Sequence, residues 1–544
     1  MVNIQNIHRK VPMMFRAQTR GRCQLNYLPG NNVQPDVIHW AEQWIERASS
    51  KIPEFDQGVQ SRSYAINWRF VTNAGQDDGI IRPVIGANGI PFFPGSSMKG
   101  AFARACDSKE RERYCGRDLG DGDFAPGILR FQGGYPGDDS WSENLIDIVH
   151  PQQNWQVQSS DHGGAFPMIS LYKPTLNFGI SSTIDLDKDE WERVWQIWEK
   201  ALSKGIGCRV SAGYGQPRRT SQPILYATEL KGEGIAPKLL DGSAEFRPNI
   251  FRSGIRGHAL RIFGGLTDAN SAQRAVEQLF GGTENDGGTF GLLCMRFRER
   301  ELDLDSFGNG NWAVPTYEVK GRLSWMLTKP LGQDHANKLL ALIKFLNRFA
   351  MVLGGFGRSW RRSDHCLFYP GYYNQNQQKP LIGCHWQWQE ETSLKNDISV
   401  LETSHLGIFI DRGLNVAKEW LQLQGYPTNQ YANNWREAWH RDKVQVWGRL
   451  ADDREDSRAI KWLHGPYRNN ETIYHTNVTG SMGQVGRLWH RMYCKRHPKE
   501  YRYTRQYLEF LTIFPDQSNQ SDNFLDYLQH PDSGFKKLWP TQRG

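Results

Sequence analysis

Ile90-Pro91-Phe92-Phe93-Pro94-Gly95-Ser96-Ser97-Met98-Lys99-Gly100-Ala101-Phe102-Ala103-Arg104 is the stretch on which the reading of this 544-residue chain turns. An apolar, proline-bounded run passes through Gly95-Ser96-Ser97 and enters a helical pattern, so a serine is the expected N-cap. Lys99 and Arg104 follow within the same pattern. Backbone N–H groups, two hydroxyls and a lysine at one helix start form a corner suited to a phosphate. On these residues alone an ordinary capped helix is the plainer reading. Further along, Phe251-Arg252-Ser253-Gly254-Ile255-Arg256-Gly257-His258-Ala259-Leu260-Arg261 repeats the skeleton: Ser, a small residue, an apolar residue, a basic residue, Gly, and Arg four residues later.

The rest of the chain sets bounds. Its length predicts two to four domains. With 38% hydrophobic and 23% charged residues it reads as globular. A net charge of +8 permits a nucleic-acid partner without requiring one. The 20 Trp and 20 Tyr suit base stacking, but large aromatics serve a core first. The eight cysteines form no Cys-x-x-Cys pair, which argues against a disulfide framework, and no metal site is legible. Met1 to Arg22 lacks the apolar segment of a signal peptide. No run reaches membrane-spanning length. The expectation is a cytoplasmic protein with no membrane partner.

Taken in order, Gln24–Leu28 is a strand candidate, Asp36–Ser50 a helix, and Ser63–Val71 alternates like a strand. Strand candidates follow at 127–131, 146–151 and 173–180. Trp191–Lys204 is amphipathic, with Trp191, Val194, Trp195, Trp198, Ala201 and Leu202 on one face. It runs into the glycine-rich Gly205-Ile206-Gly207-Cys208-Arg209-Val210-Ser211-Ala212-Gly213-Tyr214-Gly215. The second half has the same plan. Ser253–Arg261 is a second phosphate-corner candidate, 271–280 a helix, 289–293 and 321–326 strands, and 336–353 a long helix. That helix stops at Gly354-Gly355-Phe356-Gly357-Arg358-Ser359-Trp360-Arg361-Arg362. Similar intervals separate Gly100 from Gly205 and Gly257 from Gly354, which predicts two copies of one architecture, 1–225 and 240–544. Residues after about 370 read as an insertion or extension of the second copy. Within them 444–450 alternates like a strand, 480–491 is a third glycine–basic stretch, and the last thirty residues are polar.

Pro-Gly-Ser-Ser-Met-Lys-Gly with Arg104, then Asp147-Ile148-Val149-His150-Pro151, Pro174-Thr175-Leu176-Asn177-Phe178-Gly179 and Gly205–Gly215, occur in an order that resembles the RAMP superfamily, the RNA-binding backbone subunits of type III CRISPR effectors. The first copy is similar to the Cmr-type subunit at the end of the effector filament; the second matches more loosely. The resemblance implies an α+β fold of two tandem ferredoxin-like (RRM-like) modules with long loop insertions. It implies CRISPR guide RNA, target RNA and other type III subunits as partners.

The RNA contacts so implied are Ser96, Ser97, Lys99, Arg104, Arg209 and Ser211 in the first copy. In the second they are Ser253, Arg256, His258, Arg261, Arg358, Arg361 and Arg362. Such contacts read the RNA backbone, and guide–target pairing supplies specificity. Solvated surface arginines are the plain alternative. A second reading is an endoribonuclease. Some RAMP subunits cut target RNA with a loop aspartate upstream of the serine corner, and Asp77 and Asp78 lie on such a loop, with a divalent ion a candidate cofactor for cleavage. This chain departs from the pattern, since Arg82, not Asp, precedes Pro83-Val84-Ile85; Asp241 is the comparable residue of the second copy. His150 and His162 are the residues a guide-processing reading would use. A third reading is an aromatic-rich assembly scaffold that touches no RNA.

Overall fold

The structure, a computed structural model, describes residues 36–72, 76–77, 80–120, 123–149, 154–158, 166–219, 222–237, 239, 243–282, 289–307, 313–356, 384–481 and 484–541. It is mixed α+β with small, mostly antiparallel sheets. The chain forms two compact units, 1–150 with 164–223, and 151–163 with 224–544. No helix among the described residues is long and apolar enough to cross a membrane. The strand expected at Gln24–Leu28 lies outside the described residues.

The first unit opens with α1 (Asp36–Arg47), which buries Val37, Trp40, Ala41 and Trp44 along one stripe. There follow β1 (Gln60–Ala65), α2 (Gly95–Ala103), α3 (Ser108–Cys115), β2 (Leu129–Pro136), β3 (Thr175–Ser182) and α4 (Lys188–Ser203). The single strand expected over 63–71 is two pieces, β1 and the pair Arg69–Phe70, which join different sheets. The main sheet has the order β2-β3-β1, all antiparallel. After α4 the chain returns beside β1 through an Ile66–Pro217 bridge, with the Arg218 N–H donating to the Ala65 carbonyl at 2.8 Å. α4 is capped by Asp187, whose carboxylate accepts the Glu190 N–H at 2.7 Å, and buries Val194, Trp195, Ile197, Trp198, Ala201 and Leu202. Arg113 of α3 bonds both carboxylate oxygens of Glu190, at 2.6 and 3.1 Å, and ties the two helices at the surface.

The second unit contains β4 (Ile224–Ile235), α5 (Asn249–Gly264), α6 (Ala269–Phe280), β5 (Leu293–Phe307), β6 (Val314–Leu327), α7 (Gln333–Phe349), β7 (Cys384–Trp388), α8 (Glu390–Asn396) and α9 (His405–Leu423). It continues with β8 (Gln445–Ala451), α10 (Arg458–His464), β9 (Leu488–Arg496), β10 (Tyr503–Ile513), α11 (Asn519–Gln529) and β11 (Lys536–Trp539). These make two four-stranded antiparallel sheets, β5-β6-β4-β7 and β9-β10-β8-β11. In chain order each is strand, helix, strand, strand, helix, strand. In space each reads second, third, first, fourth. The first unit has the same order with its fourth strand reduced to the bridge at Pro217. The arrangement therefore occurs three times, at 60–218, 224–388 and 445–539. The third copy occupies the segment read from sequence as an extension. Its polar end is α11 and β11, and Trp539 is fully buried. The strand expected at 289–293 is only a bridge at Thr289, and β5 begins at Leu293.

One continuous core joins the two sheets, including Phe251, Trp325, Phe349, Trp439, Trp489 and Trp539. The sheet β9-β10-β8-β11 is covered on both faces. Tyr493, Leu508 and Phe510 join this common core, while Leu488, Leu511 and Ile513 pack with Trp462 and Phe524 of α10 and α11. No bare face of this sheet is left as a platform for bases.

Candidate nucleic-acid interface

The serine corner is built from the backbone up. Pro94 (φ −60°, ψ 142°) takes the N-cap position with no side-chain cap, and its carbonyl accepts the Met98 N–H at 2.9 Å. The helix thus starts at Gly95, and neither serine is the N-cap expected from sequence. Gly95 lies so close to β2 that a Cβ there would sit 2.0 Å from the Phe131 carbonyl oxygen. One on Gly133 would sit 2.3 Å from the Phe93 oxygen. Phe93 and Gly134 exchange backbone bonds of 2.8 and 2.9 Å. This seating leaves Met98, Ala101 and Phe102 inside and exposes Ser96, Ser97 and Arg104. Lys99 is half-buried, with Nζ 5.5 Å from the Phe124 ring centroid. At the far end of α2, the hydrogen bond from Cys106, helped by Lys99 and Arg111, holds the Cys115 thiol below its ordinary range against burial.

The glycine-rich loop folds back on its own unit. Arg209 is left-handed (φ 56°) and half-buried, and it opens the short turn Val210–Ala212 that carries half-buried Ser211. A Cβ on Gly207 (φ +76°) would meet the Val71 carbonyl oxygen at 2.2 Å, and one on Gly215 (φ +60°) the Ile206 oxygen at 1.8 Å. The glycines are thus demanded by protein backbone. Two sequence motifs meet here. The Tyr214 hydroxyl donates to the buried Asp147 carboxylate at 2.7 Å, and the Tyr214 ring lies 4.5 Å from that of Trp68.

In the second unit the structure moves the expected corner into the core. α5 starts at Asn249, a full turn before Ser253, so Ser253-Gly254-Ile255-Arg256 is helix interior and not a helix start. Ser253 is half-buried; Arg256 is 6% exposed, His258 1% and Arg261 0%. The last three are therefore not surface phosphate contacts. His258 Nε2 lies 2.9 Å from the Gly355 carbonyl, and a Cβ on Gly354 would reach within 2.1 Å of its ring. The two motifs of this copy do come together, as core packing. Arg261 donates its Nε–H to Glu437 at 2.7 Å, and a terminal guanidinium nitrogen forms an ion pair with the same oxygen at 2.6 Å. Glu437 also accepts from Gln156 at 3.1 and 3.2 Å and from Arg436 at 2.9 Å. Burial pushes the Arg256 and Arg261 guanidiniums down, opposed by Glu277 and Glu437 respectively.

Asp77 pairs with Ile80 in the short hairpin Gln76–Asp77/Ile80–Ile81. Asp78, His150, His162, Asp241, Arg358, Arg361 and Arg362 lie outside the described residues. No group of three metal-ligating side chains occurs among the described residues. Sequence reasoning missed a second buried network. Glu509 of β10 accepts from Arg449 Nε at 2.6 Å, from the Ala459 N–H at 3.0 Å and from Ser457, with His490 at 3.0 Å. Burial pushes this carboxyl up, but His490, Arg449 and Ser457 outweigh it and hold it down to about 2. On β9, buried Arg491 donates to the carbonyls of Met351 (3.2 Å) and Trp386 (2.9 Å). A legible signal was the unbroken apolar setting of His490 and Arg491 within Leu488–Cys494.

No protein-family model and no curated protein matches this chain. One solved structure, "Cryo-EM structure of the Type III-B Cmr-beta bound to cognate target RNA", contains a chain similar to it at 18% identity and a TM-score of 0.24. The match covers 29% of this chain and 58% of that one, less than two thirds of its length. A likeness at this level is a weak structural neighbour and assigns nothing by itself.

Proposed function

We propose that this chain is an RNA-binding backbone subunit of a type III CRISPR ribonucleoprotein. It holds guide RNA and positions target RNA, and it is built from ferredoxin-like modules. The observation that carries the reading is the threefold strand–helix–strand–strand–helix–strand arrangement with its 2-3-1-4 strand order. The motif order of the first copy supports it, and so does the exposed Ser96, Ser97 and Arg104 at α2 with Lys99 beside them. Arg209 and Ser211 extend that contact set, and Arg358, Arg361 and Arg362 belong to it in the second unit. The buried Arg256, His258 and Arg261 are left out of it, and half-buried Ser253 is at most a minor member. Cleavage through Asp77 and Asp78 is the alternative that the sequence alone suggests.

Phosphate contacts release counterions, so log K falls linearly with log salt, by roughly 0.7 per neutralised phosphate on single strands. The test is RNA binding by the full chain across a salt series, beside a Ser96→Ala/Lys99→Ala/Arg104→Ala variant. The proposal expects a steep wild-type slope, shallower by roughly 1–2 in the variant. A wild-type chain whose RNA binding is absent or salt-independent would overturn it.

A further inference from the structure

The turn joining β9 and β10 has a chemistry that the preceding reading does not use. Residues 495–507 read Lys-Arg-His-Pro-Lys-Glu-Tyr-Arg-Tyr-Thr-Arg-Gln-Tyr: five Lys or Arg and three Tyr against the single acid Glu500. Basic and aromatic residues interleaved in one short segment are what a single-stranded nucleic acid requires, cations for phosphates and a ring for a base.

The fold presents this segment in a defined shape. The His497 N–H donates to the Arg502 carbonyl at 3.0 Å, and the Glu500 N–H to His497 Nδ1 at 3.0 Å. Buried Arg496 fixes the turn from beneath by donating to the carbonyls of His497 (3.0 Å) and Glu500 (3.4 Å). Tyr501 is 37% exposed, with the Arg496 guanidinium 5.4 Å and Lys395 Nζ of α8 5.8 Å from its ring centroid. Lys499 is exposed, and the side chains of Arg502 and Arg505 are 71% and 84% exposed. Arg502 pairs with Glu500, Arg505 with Asp453 at 3.0 Å, and Lys495 with Glu402 at 3.3 Å. The Arg502 and Arg505 pairs are exposed, worth little, and exchange readily for a phosphate, whereas Lys495, with its side chain 13% exposed, stays within the fold. The neighbouring cleft, lined by Asp453, Arg454, Glu455 and Arg505 among others, is mixed in charge, and Arg505 extends the cationic surface of the turn to its edge.

The topologically equivalent hairpin β5–β6 differs. It carries Glu299, Glu301, Asp303 and Asp305, and Lys320 pairs with Glu301 within the hairpin at 2.7 Å while Arg300 pairs with Glu229 of β4 at 3.0 Å. The second copy therefore does not share the basic–aromatic character of this turn.

We propose that the 497–502 turn is a contact for single-stranded RNA, with a base stacked on Tyr501 and flanking phosphates on Lys499, Arg502 and Arg505. This rests on the RNA-binding reading above. The test is fluorescence anisotropy of the full chain with a labelled uridine 20-mer at several salt concentrations, with thermal unfolding as the fold control. Tyr501→Ala is expected to weaken binding about tenfold and Tyr501→Phe to leave it unchanged, as stacking requires. Lys499→Ala/Arg502→Ala is expected to lower the salt slope by roughly 1.4. Wild-type RNA binding that survives Tyr501→Ala within twofold, with an unchanged slope in the double variant, overturns the turn contact and leaves the general RNA reading standing. So does a double variant that keeps RNA but fails to hold a neighbouring subunit, which would make the turn a protein interface. Absence of wild-type RNA binding overturns both.

Discussion

Replacing Glu437 by Gln would strip the carboxylate from Arg261 while leaving the shape of the site nearly intact. Both side chains are 0% exposed, and two Arg261 nitrogens lie 2.7 and 2.6 Å from one Glu437 oxygen. Removing one partner of a buried pair leaves an uncompensated charge and costs about 3–5 kcal/mol. The reverse change, Arg261→Met, is milder, because Glu437 keeps Arg436 at 2.9 Å and Gln156 at 3.1 Å. Arg261→Met/Glu437→Gln removes both charges and recovers part of the Glu437→Gln loss, with a coupling of about 1–3 kcal/mol. The assay is guanidinium unfolding followed by circular dichroism, with RNA affinity measured on the same samples under native conditions. The reasoning predicts a lowered unfolding midpoint for Glu437→Gln, a smaller drop for Arg261→Met, and RNA affinity within twofold for folded Arg261→Met. An Arg261→Met protein with wild-type stability and strongly reduced RNA affinity would refute it and restore Arg261 as a phosphate contact.

Glu509 should govern acid stability of the third copy. Its folded carboxyl is held down to about 2 from 4.5, so its contribution is full above about pH 4.5 and lost as pH falls toward 2. Acid unfolding curves of wild type and Glu509→Gln should converge across that window; curves with a constant offset would refute the assignment. Gly354→Ala places a Cβ 2.1 Å from the His258 ring, so a thermal melt should show a loss of about 1–3 kcal/mol, and an unchanged melt would refute that packing. Gly207→Ala combines φ +76° with a 2.2 Å approach to Val71 and should destabilise the first unit whether or not RNA is present. Ser96→Ala/Ser97→Ala should leave stability within about 0.5 kcal/mol, because neither hydroxyl caps α2, and a larger loss in a melt would contradict the Pro94 cap.

Local periodicity was legible in this sequence, and the count of copies was not. α4 was readable because Trp195, Trp198 and Leu202 repeat at helical spacing and all fall on the buried face. The third copy was missed because it lacks the pair of markers, a serine corner and a glycine-rich stop at matched spacing, that distinguished the first two. Its β9 and the second half of β10 are buried on both faces, with His490, Arg491 and Glu509 among the buried residues, which masks the period-2 pattern. The candidate site was half legible. At α2 the exposed residues are those the motif names, although Pro94 and not a serine takes the cap. At α5 the same skeleton is buried: the helix begins a turn earlier, so the skeleton is helix interior, and the core closes around Arg256, His258 and Arg261. Sequence carries no sign of that shift, and an arginine reads as surface until its carboxylate partner, here Glu437, is seen 176 residues away. The glycine-rich loop was legible as a turn. That its glycines make room for Val71 and Ile206 is a fact of tertiary packing.

The most direct measurement is to express the chain with the products of its neighbouring genes, purify the assembly and sequence any RNA that comes with it. The account predicts repeat-derived RNA of uniform length, released by high salt. A fully assembled complex that carries no RNA would contradict it.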